Sequence, residues 1–181
     1  MADREATIED LYRVDGKAEL VGGELVLMSP TGWLPGLAGG EIFARLREYA
    51  RRTRVGYAVP DKVGFVVRLP NRRSFSPDAA FTTEAPLTGK FIEGAPVFAA
   101  EVRSEDDHGA AAERTMAAKR ADYFAAGTLV VWDVDVLREQ SVRVYRASDP
   151  VTPRVYGRGE VADAEPALSG WSMPVDDLFL G

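Results

Sequence analysis

Ala95-Pro96-Val97-Phe98-Ala99-Ala100-Glu101-Val102-Arg103-Ser104 is the stretch on which the reading of this chain turns. Its unbroken apolar run, Val97 to Ala100, is the pattern of a strand covered on both faces, and so of a strand in the middle of a sheet. A polar loop follows, then a helical stretch from about Ala110 to Ala126 that stops at Gly127. Next comes a second apolar strand, Leu129-Val130-Val131-Trp132-Asp133-Val134. Strand, helix and strand in that order predict a right-handed crossover and a parallel pair. Glu101 sits near the end of the first strand, where an unpaired carboxylate would be costly to bury.

On the N-terminal side, Ser76-Pro77-Asp78-Ala79-Ala80-Phe81 sets an aspartate at the mouth of another short strand. Two carboxylates that converge at adjoining strand ends can seat a divalent cation. Between the two strands lies a loop holding Pro86, Gly89, Gly94 and Pro96. Farther out, Thr7 to Arg13 reads as a short helix with Thr7 as N-cap and Asp10 at N3. Ala18–Val21 and Glu24–Met28 read as a hairpin around Gly22-Gly23. A helix is expected from about Leu37 to Thr53, with Ile42, Leu46, Tyr49, Ala50 and Thr53 on its inner face. Val55 to Val59 reads as a short strand, and Val63, Phe65, Val67 and Leu69 alternate like a half-buried one. Strands are also expected at Ser141–Arg146 and Val155-Tyr156. No repeat or linker divides the chain, so residues 1–181 read as one mixed α/β domain. It has a mixed sheet flanked by helices, an N-terminal hairpin and extra C-terminal strands.

Composition narrows the function. The chain has 181 residues, 46% hydrophobic and 28% charged, an ordinary composition for a globular domain. No apolar run could cross a bilayer, and the first residues lack the pattern of a secretion signal. There is no cysteine, which excludes disulfides and thiolate metal sites. A cytoplasmic protein is expected. The net charge of -6 means that nucleic acid would not be drawn by the overall field. A local basic patch would be needed. Arg45, Arg47, Arg51, Arg52 and Arg54, followed by Arg68, Arg72 and Arg73, offer one, although a solvated helix face and a hairpin tip explain them as well.

Metal-dependent hydrolysis of a phosphodiester needs oxygen ligands, an activated water and a cation facing the phosphate. Asp78 and Glu101 can supply the ligands, with the Val102 carbonyl as a third. The cation could be Arg103, two residues beyond Glu101 on the same strand face. It could instead come from the following helix, where Ala112, Met116, Ala117, Tyr123 and Phe124 share one face. Lys119 stands at the edge of that face and Arg120 nearer its middle, so geometry alone favours Arg120 slightly. The single histidine, His108, excludes a triad or a histidine metal centre and reads as solvated. Asp133 and Asp135 read as strand-end solubility. Trp33, Trp132 and Trp171 read as core.

The spacing Pro77-Asp78, then Glu101-Val102-Arg103, resembles the PD-(D/E)XK nuclease superfamily. More closely, the chain resembles a large bacterial family of restriction-endonuclease-like proteins. The pieces that carry the resemblance run in order. They are Thr7–Tyr12, Glu19–Val26, Met28–Gly32, Ser76–Phe81, Ala100–Ser104, Lys119–Gly127 and Val130–Asp135. The resemblance implies a restriction-endonuclease-like core with the site at splayed strand ends. It implies Mg²⁺ or Mn²⁺ held by Asp78 and Glu101, and it selects Lys119 over Arg120. It also implies a role for Glu19, the acidic residue near the N-terminus, with Glu24 close by. Arg103 stands where the superfamily pattern has lysine, and an arginine keeps its proton. The expected activity is an endonuclease acting on nucleic acid, with DNA as the expected substrate. The alternatives are an inactive module of the same fold that binds nucleic acid or a protein partner, or an enzyme acting on another phosphate. A homodimer through exposed C-terminal edge strands is plausible from the pattern.

Overall fold

The computed structural model describes residues 4–83 and 87–179. Pro86 of the predicted loop, and the first three residues, lie outside them. The chain opens with helix α1 (Ile8–Tyr12), started by a capping box between Thr7 and Asp10. Strands β1 (Lys17–Val21) and β2 (Glu24–Met28) form the expected hairpin. Gly22 and Gly23 both take positive φ, 58° and 77°, which the tight turn demands. Helix α2 (Trp33–Thr53) begins four residues before the predicted start. Pro35 is no obstacle there, because the first turn of a helix has no internal partner for its N–H groups.

Strand β3 (Tyr57–Val59) follows, then β4 (Phe65–Val66), β5 (Ser74–Phe75), β6 (Ala79–Thr82), β7 (Ile92–Glu93) and β8 (Phe98–Val102). Helix α3 (Ala110–Ala125) ends at Gly127, whose φ of 106° stops it. Strands β9 (Val130–Asp135), β10 (Ser141–Arg146), β11 (Asp149–Tyr156), β12 (Val161–Asp163) and β13 (Ser172–Pro174) complete the sheets, and a single 3₁₀ turn, Val175–Leu178, follows.

The main sheet has the order β11-β10-β9-β8-β6-β3. Only β8 and β9 run parallel, and α3 is the crossover between them. β8 is central, as its apolar run predicted. Phe98, Ala100 and Val102 pack on one side with Ile42, Leu46 and Tyr49 of α2 and with Trp132 and Trp171. Ala99 packs on the other side with Ala80, Val131, Phe65, Phe75 and Tyr123. The predicted strand at Val63–Leu69 shrinks to β4, which joins β5 and β7 in a small three-stranded sheet over that second face. Its residues alternate because Phe65 and Val67 face the core, but the pairing lasts only two residues.

Candidate active site

The second face of the main sheet carries more than apolar side chains. Antiparallel pairing of β6 with β8 sets Ala79 opposite Ala100. Asp78, one residue earlier, therefore stands beside Glu101. Glu101 shares the face of Ala99, whereas Asp78 sits just past the end of the β6 ladder, where a Cβ at Gly39 of α2 would lie 3.7 Å from its own and its carboxylate reaches Lys17. The backbone ties the pair: the Asp78 N–H donates to the Ala100 carbonyl (3.1 Å), and the Val102 N–H donates to Asp78 Oδ2 (2.7 Å). Asp78, Glu101 and the Val102 backbone thus meet at one strand end.

Two lysines close on these carboxylates, and an arginine closes on the acids beside them. Lys119 of α3 places Nζ 2.8 Å from Glu101 Oε1 and 2.8 Å from Glu19 Oε1. Lys17, at the start of β1, places Nζ 2.7 Å from Asp78 Oδ1 and 2.7 Å from Asp61 Oδ1. Arg72 donates to Glu19 Oε2 (2.7 Å) and to Asp122 Oδ2 (2.8 Å). Its guanidinium lies 4.9 Å from the Phe75 ring centre, and Phe75 stacks on Tyr123. The Tyr123 hydroxyl donates to Glu101 Oε1 at 2.6 Å.

Five carboxylates face three cations, and the titration of Glu101, Glu19, Lys119, Lys17 and Tyr123 is shifted. Burial pushes Glu101 above the usual carboxylate range; Lys119 opposes this, and Asp78 and Glu19 add repulsion. Burial would raise Glu19 too, but Lys119, Arg72 and the Ser76 N–H hold it below that range. Burial works against the charge on Lys119, yet Glu101 and Glu19 outweigh it and raise its pKa. The same balance, through Asp78 and Glu101, raises Lys17. Burial and Glu101 push the Tyr123 phenol well above its ordinary value. A cleft of about 250 Å³ opens onto Asp61, Asp78 and Val102 from the N-terminal half of α2, where it is walled by Gly36, Gly39 and Gly40.

Residues 6–176 match the Uma2 family, described as "Putative restriction endonuclease". The chain belongs to this family. No curated protein matches it. Among solved structures, it is similar to the crystal structure of a "putative nuclease belonging to DUF820" from Anabaena variabilis ATCC 29413. That likeness has a TM-score of 0.77 at 16% identity and covers 96% of this chain and 97% of that one. The fold is thus restriction-endonuclease-like, as the resemblance implied. No helix is long and apolar enough to cross a membrane among the described residues.

Of the site residues expected from the sequence, Asp78, Glu101, Val102, Lys119 and Glu19 come together. Arg103 does not join them. It shares the sheet face of Glu101, but its guanidinium grips Asp133 at 2.7 Å through both Nε and Nη2, and it also binds Glu113. Arg120 reaches Asp133 as well, at 3.2 Å. Asp133 and Asp135, expected at a solvated strand end, are buried. The His108 ring is sheltered rather than solvated, with Nε2 3.1 Å from Asp135 Oδ2. Glu24 is exposed.

Sequence reasoning missed Lys17, Asp61, Arg72, Asp122 and Tyr123 as members of the cluster. Lys17 could have been found, since period-2 alternation puts it on the face of Glu19. Tyr123 and Asp122 lie four and three residues beyond Lys119, on the neighbouring helix surface. Arg72 gave no local signal. It reaches the cluster through the isolated bridge from Val21 to Arg72, where two turns far apart in sequence meet.

Proposed function

We propose that this protein hydrolyses phosphodiester bonds of nucleic acid, with DNA as substrate and Mg²⁺ or Mn²⁺ as cofactor. The observation that carries the reading is the meeting of Asp78 and Glu101 at one strand end, with Lys119 against Glu101 and a cleft opening onto Asp78. The donor set suits such an ion. Two carboxylates and a backbone carbonyl are hard oxygen ligands. Among the described residues no three His, Cys, Asp or Glu side chains form a metal-holding group, so the remaining positions would be filled by water, as Mg²⁺ prefers. Burial raises Glu101 and repulsion from Asp78 and Glu19 adds to it; a bound cation would offset both.

When bound at Asp78, Glu101 and Val102, the ion supplies Lewis acidity toward the phosphate and acidifies water. Lys119, held charged by Glu101 and Glu19, cannot accept a proton; it stabilises negative charge on the phosphate or orients the attacking water. Glu19 and Arg72 hold Lys119 and its partners in place. Arg103 acts at a distance, tying β8 to β9 and to the first turns of α3. The test is nicking of plasmid DNA with added Mg²⁺ by wild type, Asp78→Ala and Lys119→Ala. Loss in both variants is expected, and equal activity in all three overturns the proposal.

One observation favours a second reading, an inactive module of the same fold. Lysines already neutralise both carboxylates. Calorimetric titration with Mn²⁺ separates the two, because absence of binding heat favours the inert module. The homodimer expected from the sequence would use the edge strand β11, where Val151 and Val155 are exposed. Pro150 and Pro153 lie on that strand and cannot donate to a new ladder, which opposes such pairing.

A further inference from the structure

Helix α2 carries three glycines and a row of arginines that packing does not explain. Its inner face is Ala38, Ile42, Leu46 and Tyr49. On the opposite side, Trp33, Gly36, Gly40, Phe43, Arg47, Arg51 and Arg54 fall within an arc of about 80° at 100° per residue. That stripe runs roughly 30 Å along the helix. No carboxylate lies in it; Glu41 and Glu48 stand on the adjoining flank with Arg45, which pairs with Glu41 and Asp177. Arg47, Arg51 and Arg54 are exposed, and among the described residues no carboxylate comes within salt-bridge distance of them. They wall a groove with Phe43, Ala50 and Tyr57 of the edge strand β3. Phe43 also walls the cleft that opens onto Asp78, so the two hollows adjoin.

The glycines supply the second observation. Each glycine inside a helix costs about 1 kcal/mol relative to alanine. A Cβ at Gly40 would meet nothing within 4 Å, and one at Gly36 only Thr31 at 3.5 Å. The fold therefore does not require a bare backbone at either position. Both line the cleft, where missing side chains leave room for something to approach the helix.

We propose that this outer stripe of α2 is the track for a nucleic-acid backbone, with Arg47, Arg51 and Arg54 holding phosphates and Gly36 and Gly40 letting the strand pass close to Asp78. Trp33, 78% exposed at the other end of the stripe, is the stacking platform for a base. On a chain of net charge -6, this local row supplies the attraction that the overall field does not. The proposal rests on the phosphodiesterase reading for the identity of the ligand, but its test does not use cleavage.

The test is fluorescence anisotropy of a labelled DNA duplex in EDTA, with salt varied from about 50 to 200 mM, the range over which phosphate binding weakens most visibly. Wild type is compared with Arg47→Gln/Arg51→Gln/Arg54→Gln, with Arg47→Gln alone, and with a control, Arg114→Gln/Arg138→Gln/Arg154→Gln, altered at exposed arginines elsewhere. The triple variant is expected to bind at least about tenfold more weakly. Its slope of log affinity on log salt should be shallower by about 0.9 for each phosphate that is no longer neutralised. Arg47→Gln, in mid-helix, should show about a third of the slope change with its helix intact by circular dichroism, and the control should match wild type. No binding by wild type, or equal losses in the triple variant and the control, overturns the track. Binding that depends on the stripe without any plasmid nicking upholds the track and rejects the nuclease. Nicking by wild type with the triple variant unchanged in affinity does the reverse.

Discussion

Lys119 and Arg120 are neighbours on one helix, yet they enter two different charge clusters. Lys119 reaches β8 and the hairpin, where it meets Glu101 and Glu19. Arg120 reaches β9, where it meets Asp133 beside Arg103. The first cluster is open: the side chains of Asp78 and Glu101 are 25% and 20% exposed. The second is shut: Asp133 is 2% and Arg103 3% exposed. In the first, carboxylates outnumber cations and Glu101 is held above its ordinary pKa. In the second, one aspartate is enclosed by two guanidiniums, and Arg120 lies 4.0 Å from the Tyr145 ring. The same residue types thus serve two ends. A partly exposed cluster in which carboxylates outnumber cations can still recruit a cation, whereas a saturated, buried one can only hold strands together.

The sharpest way to break this contrast is to compare Asp78→Asn with Asp133→Ala. Asp78→Asn should lower DNA nicking about 10²- to 10³-fold, the scale for losing one preorganised electrostatic group, with little change in melting temperature. Asp133→Ala leaves buried guanidiniums without their partner and should cost about 3–5 kcal/mol. For a chain of this size that lowers the melting temperature by on the order of 10 °C. Folded Asp133→Ala protein should still cut. If Asp133→Ala melts like wild type, the shut cluster is not what fastens β8 to β9.

Metal sharpens the contrast further. Saturating Mn²⁺ should raise the melting temperature of wild type, by about 2.7 kcal/mol of stability at roughly a hundred times the dissociation constant. Glu101→Gln should abolish that rise, and Asp133→Asn should keep it. Differential scanning fluorimetry reads both.

The smallest effect concerns pH. Burial works to raise Asp135, but the N–H groups of Leu137, Arg138 and Glu139, together with His108, hold it below the usual aspartate range. A carboxylate whose folded pKa is depressed adds stability above its unfolded pKa and loses it as pH falls through the folded one. Wild type should therefore exceed Asp135→Asn in stability at neutral pH. The gap should close progressively as denaturant melts are repeated below the ordinary aspartate pKa. A gap that widens on acidification would contradict the shift.

Much of this was legible in the sequence because it depended on short-range patterns. The run Val97–Ala100, the stop at Gly127 and the apolar strand after it gave β8, α3 and β9 with their parallel pairing. The two acidic residues could be set at strand ends from the sequence, but whether they met depended on a register that only the folded sheet supplies. The choice between Lys119 and Arg120 could not be read that way. Helix α3 is rich in alanine and buries Tyr123 fully while Ala117 is exposed, so its apolar stripe is too weak to orient it. Both long side chains point inward, to different strands, which a single inward direction cannot express. Arg72 and Asp61 escaped for another reason: they reach the cluster from turns far from it in sequence, through contacts that only the tertiary fold makes. Trp33 reads as core by residue type, but it falls in the first turn of α2, on the side away from the sheet.

The hydrogen bond from the Val102 amide to Asp78 has one more consequence. Because it joins a side chain of one strand to the main chain of the next, the spacing of the two acids is measured by the ladder itself. Adding one residue inside β8 ahead of Glu101 would turn that carboxylate to the α2 side and bring a valine or alanine into its place. The spacing of these two acids is therefore guarded by parity: only changes of two residues at a time within β8 keep Glu101 on its own side of the sheet.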